Sequence, residues 1–337
     1  MALLQAQSPA PPAAVTAPQI GPQHYKVFRG DGTPASLEDV LAEAGKNKVT
    51  FLGESHDDPV GHHLQFELFK KLSGPHTVLS MEMFETDVQL VVDEFLAGQI
   101  TEEHLVSAGR AWRNYRSDYK PLVDHAKANG MRVIAANAAR RYVNMVSRGG
   151  KESLLSLSKE AKKTLPPLPY AEATPEYQAR FEKIMEEGRR QAAEAAKPKP
   201  EAGQAKPAAM PAQEPKRDPR WGLQAQSLWD ASMAYSISRA LKKDRNARVI
   251  HLNGSFHSEQ RQGILDHLRR YNKKATMLVV TMIPRKTLDF EPGRMKGAGD
   301  FVIVTDESLP RSGPPPAAPV KPAPLPAQHP KPEAAKQ

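Results

Sequence analysis

Six short apolar runs recur along this chain, each separated from the next by a longer amphipathic stretch, and that alternation leaves few folds open. The runs lie at residues 48–52, 77–83, 132–136, 248–252, 276–283 and 301–305. Each has the length of a strand buried on both faces, the pattern of a parallel sheet sandwiched between helices. After the first run, Leu64, Leu68 and Leu72 repeat at helical spacing, with Phe66 and Phe69 widening the stripe. Residues 87–96, 118–129, 223–241 and 259–270 predict further helices, and Asn129-Gly130 supplies a helix C-terminus. Residues 138–190, broken by Pro166-Pro167-Leu168-Pro169, predict helices and loops that cap the sheet edge. The expected class is α/β, with a largely parallel central sheet covered by helices.

The prolines bound the folded part. Of 31, five lie in residues 1–22, six in 191–220 and ten in 310–337. These segments are rich in Ala, Pro, Lys and Gln and nearly free of large apolar residues. They cannot bury enough surface to offset the entropy of ordering, which predicts disorder or extended tethers. The expected layout is a leader at 1–22, one α/β domain at 23–306 with a disordered insertion at 191–220, and a Pro/Ala/Lys-rich tail at 307–337.

A formal charge of +9 invites a nucleic-acid reading, but the insertion and the tail carry a good part of it. The remainder clusters where helix C-termini are expected, at Arg140, Arg141, Arg148 and Lys151 and again at Arg269, Arg270, Lys273 and Lys274. No recognition-helix, RNP or zinc-finger pattern accompanies them, so no specific nucleic-acid partner is expected. The absence of cysteine excludes disulfides and thiolate metal sites. No run of 18 apolar residues exists to span a membrane. A Pro/Ala-rich leader matches the spacer of an exported or surface-tethered protein. An extracytoplasmic setting, periplasm or cell envelope, is therefore expected ahead of the cytoplasm, with basic Pro-rich tails available to a membrane-surface or envelope partner.

Ligands of open parallel sheets bind beyond the carboxyl ends of the strands, so the residues that follow each run matter most. The first run ends in Gly53-Glu54-Ser55-His56-Asp57-Asp58. Asp58 before Pro59 reads as a helix N-cap, which leaves Glu54 and His56 without a structural explanation. The second run ends at Glu82, the third at Asn137 with Arg140 and Arg141 beyond it, and the fourth at Asn253-Gly254-Ser255-Phe256-His257. Taken singly, each has an ordinary account: a solvated or Arg-paired Glu82, a turn-satisfying Asn137, a His257 near a helix start. His62 and His63 begin a helix, where one faces solvent and the other packs inside, and His251 lies within a strand. Together, Glu54, His56, Glu82 and His257 can serve as general acids and bases, and His56, Glu82 and His257 as donors to a divalent ion. No HExxH helix or comparable spacing selects between these.

A second constellation, Trp112-Arg113-Asn114-Tyr115-Arg116-Ser117-Asp118-Tyr119-Lys120, is aromatic and basic. Such a stretch offers what a haem needs: an apolar face, cations for two carboxylates and a phenol or imidazole for iron. Tyr115 and Tyr119, four apart, equally fit one helix face packed on the sheet.

Phe51–Asp58, Met81-Glu82-Met83-Phe84, the Trp112 to Leu122 segment, Val133 to Arg141 and Leu252 to His257 follow one another in the order of the ChaN-like haem-binding uptake family. That family belongs to the wider group of Tiki, TraB and erythromycin-esterase-like proteins. The resemblance covers roughly residues 49–305 without the insertion. It implies an α/β fold with its site at the strand ends, His56, Glu82 and His257 as the polar site shared by the superfamily, and haem as the ligand. It further implies a tyrosine iron ligand, Tyr119 or Tyr115, at or near a homodimer interface, with Trp112, Arg140 and Asn137 around the cofactor.

Three functions stay open on these residues. The first is haem binding in bacterial iron or haem uptake or storage. The second is a divalent-metal-dependent hydrolase, peptidase or esterase, that uses the same strand-end His and Glu. The third is a tethered scaffold built on a degenerate enzyme. Whether the chain is an enzyme is left undecided.

Overall fold

The computed structural model describes residues 19–195, 218 and 220–312. Every expected apolar run forms a strand. These are β3 (Val49–Glu54), β4 (Thr77–Glu85), β5 (Arg132–Asn137), β6 (Arg248–Gly254), β7 (Met277–Arg285) and β8 (Phe301–Asp306). Of them, β3, β5 and β6 extend at their carboxyl ends into Glu54, Asn137 and Asn253-Gly254. Two further strands, β1 (Tyr25–Arg29) and β2 (Pro34–Ala35), were not visible as apolar runs, because β1 mixes charges with apolar residues and buries only Val27. The eight form one sheet in the order β2-β1-β8-β7-β3-β6-β4-β5. The six strands from β3 to β8 pair in parallel, and β1 runs antiparallel to both β8 and β2.

The helices are α1 (Leu37–Ala44), α2 (Pro59–Leu72), α3 (Gln89–Leu96), α4 (Glu102–Ala108), α5 (Lys120–Ala128), α6 (Arg140–Gly149), α7 (Lys159–Lys162), α8 (Pro175–Ala195), α9 (Arg220–Lys243), α10 (Ile264–Tyr271) and α11 (Pro292–Met295). They cover both faces of the sheet, as the runs require. Along β3, Leu52 packs with Leu64, Leu68 and Phe69 of α2, while Val49 and Phe51 pack with Met233 and Ile237 of α9 and Leu265 and Leu268 of α10. Alternating side chains thus serve two cores, each buried residue contributing roughly 1.5–3 kcal/mol.

Three expected elements differ in detail. The helix expected at 259–270 divides into a short turn, Glu259–Arg261, and α10. Gln260 and Arg261 adopt φ of 59° there, and Gly263, at φ 61°, restarts the helix with its N–H held by the Asp266 carboxylate at 3.0 Å. The helix expected at 118–129 begins with a wide π turn over Tyr115–Tyr119 before α5. The insertion expected at 191–220 is narrower: α8 runs through Ala195 and α9 starts at Arg220, and most of the interval lies outside the described residues, as do residues 1–18 and 313–337. Among residues 138–190, α8 lays Tyr177 and Arg180 against the segment that follows β6. Among the described residues no helix is long and apolar enough to cross a membrane.

Candidate functional site

Parallel pairing brings the carboxyl ends of β3, β6 and β4 side by side, and the site assembles where they meet. Gly53 pairs with Asn253 and Glu54 with Gly254 across β3 and β6. Pairing of β4 with β6 stops at Met81 opposite Leu252, and the β4–β5 register shifts between Met81 and Glu85. Glu82 sits in that irregularity. Its Oε2 accepts the Gly254 N–H at 2.7 Å, which takes the place of the interrupted ladder and aims the carboxylate at the strand ends.

Glu54 is buried (2 % exposed) and surrounded by donors. Its Oε1 accepts from the Tyr119 hydroxyl at 2.6 Å and from His56 Nδ1 at 2.9 Å. Its Oε2 accepts from Gln65 Nε2 at 2.6 Å and lies 3.4 Å from His62 Nδ1. On its other side His62 Nε2 is 3.4 Å from Asp118, whose Oδ2 accepts from Asn114 Nδ2 at 2.6 Å. Burial alone would raise the Glu54 carboxyl, but the His62 charge and the His56 and His62 hydrogen bonds outweigh it and hold it at about 2. Burial likewise opposes the His62 cation, while Glu54 and Asp118 carry it up to about 9. The result is an ionised carboxylate inside the protein with its charge matched.

His56 is the exposed member of this group. Nδ1 is tied to Glu54, and Nε2 has no hydrogen-bond partner among the described residues. Trp112 meets the ring edge-on at 4.9 Å. Burial works against its cation, yet the Glu54 hydrogen bond and the nearby Glu82 charge raise its pKa. The ring stands directly over Gly254: a Cβ at that position would lie 2.8 Å from both Cε1 and Nε2, so a glycine is needed for His56 to sit there.

A second chain of polar groups starts at Glu82. Glu82 Oε1 is 3.6 Å from His257 Nε2, His257 Nδ1 is 2.6 Å from Asp230 of α9, and Asp230 accepts from the Tyr177 hydroxyl of α8 at 2.5 Å. Burial opposes the His257 cation, but Glu82 and Asp230 push it up to about 9. His251, one turn of the strand inward, hydrogen-bonds Ser80 at 2.9 Å and is held neutral, at about 3, by burial and by the His257 charge.

The structure therefore gathers four of the residues singled out from sequence, Glu54, His56, Glu82 and His257, around Gly254. They do not converge as three donors on one point: among the described residues no group of three or more His, Asp or Glu side chains is spaced to hold a metal ion. The set expected for a divalent ion, His56, Glu82 and His257, is not such a group, and the His257 ring lies against Asp230 and Glu82. Tyr115 and Tyr119 are sealed in the core at 1 % and 0 % exposed, with the Tyr119 phenol donating to Glu54, and burial raises both phenols far from ionisation. Asn137 is buried and its Oδ1 accepts from Ala138 N–H, the local turn role.

Trp112 and Arg140 instead face a groove of about 820 Å3 beside the strand ends, together with Arg110, Arg113 and Arg141. Arg110 pairs with Glu85 and Asp87, and Arg141 with Asp87. Arg113 and Arg140 are exposed and make no ion pair among the described residues. Sequence reasoning did not single out Gln65, Asp230 and Tyr177, and it named His62, Asn114 and Asp118 without placing them at this site. Asp230 carried a legible signal, a carboxylate among the buried residues of α9.

The sequence carried by this sheet matches a known family. Residues 40–268 match the family described as haem-binding uptake, Tiki superfamily, ChaN, and the chain belongs to it. Among solved structures, it is similar to ChaN of Campylobacter jejuni, described with cofacial haem binding. The two share 18 % identity over 86 % of this chain and 100 % of that one, at a TM-score of 0.60, which shows a common fold. The type III effector HopBA1 (14 % identity, 85 % of this chain and 99 % of that one) and an erythromycin esterase mutant in its open conformation (10 %, 84 % and 83 %) align at TM-scores of 0.41 each. No curated protein matches the chain by sequence.

Proposed function

We propose that this protein binds haem in the groove beside Trp112, with the iron at the His56 end. The observation that carries the reading is an exposed imidazole, His56, set 4.9 Å from Trp112, which lines a groove together with the unpaired Arg113 and Arg140, in a chain of a haem-binding family. The fit is chemical. Haem iron already has four porphyrin nitrogens and asks the protein for one or two donors, whereas a bare divalent ion asks for three or more. His56 offers Nε2 while Glu54 fixes the opposite nitrogen, the carboxylate–histidine arrangement that orients a metal-ligating imidazole. Arg113 and Arg140 are free for the propionates, and Trp112 supplies an apolar face. Bound haem would supply an iron centre, and this chain's part would be to hold it, orient the His56 imidazole through Glu54 and neutralise the two carboxylates with Arg113 and Arg140.

The buried phenols are the alternative ligands, and Tyr119 reaches iron only by giving up Glu54. Titration with haemin separates the two. A Soret band distinct from free haemin should saturate at micromolar protein, shift on His56→Ala and stay in place on Tyr119→Phe. A band that shifts with Tyr119→Phe or Tyr115→Phe instead assigns the phenol. A spectrum unchanged from free haemin overturns the reading. The double variant Arg113→Ala/Arg140→Ala should weaken binding about tenfold, the equivalent of ~1.4 kcal/mol. The setting outside the cytoplasm and the homodimer are part of the same proposal. Cell fractionation and sedimentation with and without haemin test them.

A second reading, hydrolysis, rests on two histidines near the strand ends, His56 and His257, each backed by a buried carboxylate, Glu54 and Asp230. Such paired groups can take and return a proton during ester or amide cleavage. Turnover of ester or peptide panels that disappears in Glu54→Gln supports it. No turnover in any panel counts against it.

A further inference from the structure

The sheet ends at β5, and along its outer side runs a cavity of about 610 Å3 that is lined by none of Glu54, His56, Glu82 or His257. Four cations from three separate segments reach it: Arg132 of β5, Lys163 after α7, and Arg239 and Lys243 of α9. Arg132, Arg239 and Lys243 make no ion pair among the described residues. The carboxylate neighbour of Lys163, Glu160, is 3.8 Å away with both side chains exposed. Asp93 is the one acidic residue lining the cavity, and it accepts from Gln89 Nε2 at 2.9 Å. The cavity therefore holds a net positive charge that Asp93, and Glu160 beside Lys163, offset only in part.

What can enter is narrowed by Gln89. Its side-chain amide donates to Val133 O at 2.9 Å and accepts from Ala135 N–H at 2.8 Å, occupying the outward hydrogen-bonding groups of the edge strand. A peptide adding as a further strand would find them taken. The far end is richer in apolar side chains. Lys163, Leu165, Tyr235 and Arg239 also line a second cavity of about 590 Å3, whose walls add Leu155, Pro166, Pro167 and Leu168, with Lys162 beside them. Leu155 is 51 % exposed, a large apolar side chain left to solvent there. One groove thus passes from a cationic end, past the Tyr235 ring, to an end where leucines and prolines adjoin the cations.

From this we infer that the β5 edge groove is a binding site for an anionic amphiphile, a small molecule with a phosphate-type head and an apolar chain. The head lies among Arg132, Arg239 and Lys243, and the chain runs over Tyr235 toward Leu155 and Leu168. Electrostatic attraction selects the head, and burial of the chain against the proline-walled end supplies the remaining affinity.

Calorimetric titration of the full chain tests this with dodecyl phosphate below its micelle concentration, inorganic phosphate and the uncharged dodecyl maltoside. One-to-one binding of dodecyl phosphate is expected, at least tenfold tighter than either of the others, and weakened at least tenfold in Arg132→Ser/Arg239→Ser. Equal affinity for dodecyl maltoside, or for inorganic phosphate, overturns the inference, since head and chain would then not act together. So does dodecyl phosphate binding that the double variant leaves unchanged. Haemin titration of the same variant keeps the two sites distinct. An unchanged Soret band shows an intact fold and a separate site, and a lost band assigns the groove to haem and removes the amphiphile from it.

Discussion

Glu54 shows how one residue is made to serve a site. A carboxylate taken out of water is costly unless its oxygens are met, and here Tyr119, His56, Gln65 and His62 meet them. Because the Tyr119 bond ends on a charge, Tyr119→Phe should lower stability by about 1.5–3 kcal/mol, read from urea unfolding. A loss near zero would mean that the remaining donors hold the carboxylate unaided. Gly254 makes the complementary point. Gly254→Ala places a methyl 2.8 Å from the His56 ring, which is half exposed and can only swing outward from Glu54. The variant should keep native circular dichroism, lose on the order of 1–3 kcal/mol, and lose the haem band expected of the wild type. An unaltered band would show that His56 does not need its place over Gly254.

At the scale of elements, α2 ties the site to the sheet. Asp58 caps it, accepting from Val60 N–H at 3.0 Å, and the same carboxylate accepts from Thr305 of β8 at 2.6 Å. Pro59 begins the helix at a position where no N–H is needed. The cap thus fixes the start of the helix that carries His62 and Gln65 beneath Glu54. Asp58→Ala removes the cap and strands the Thr305 hydroxyl, so it should cost about 1–2 kcal/mol by thermal or urea unfolding, with Asp58→Asn recovering part. If Asp58→Ala is silent, the helix start is held by its packing alone. The π turn over Tyr115–Tyr119 is the other device at this scale, since it directs Tyr119 and Asp118 inward while leaving Trp112 at the groove.

Across the whole molecule, the buried charges set how stability follows pH. His62 and His257 are raised from an ordinary value near 6.5 to about 9, so their contributions are complete below 6.5 and are lost as pH rises through 9. Glu54 is depressed to about 2, so its contribution is complete above about 4.5 and is lost as pH falls toward 2. The unfolding midpoint should therefore fall between pH 6.5 and 9, and fall less in His257→Asn. A midpoint that climbs over that interval contradicts the pairing of these histidines with their carboxylates.

The sequence by itself determined the fold class and one layer of the site. Runs of apolar residues too continuous for a one-sided sheet demanded helices on both faces, and all six became strands of one sheet. Glu54, His56, Glu82 and His257 were legible because each sits at a strand's carboxyl end, where an α/β sheet opens to ligands. The same local logic could not find β1, whose charges break its apolar pattern, nor the division of the helix expected at 259–270, which depends on Gly263 and on Gln260 bonding Ala298. Only the tertiary structure decided how the site is wired. His62, Asp118, Asp230 and Tyr177 come from helices far apart in sequence, and their roles arise when burial leaves a charge with no water and a distant side chain must replace it. That same burial took Tyr119 from the groove to the floor beneath it, and left His56 as the ring that faces out.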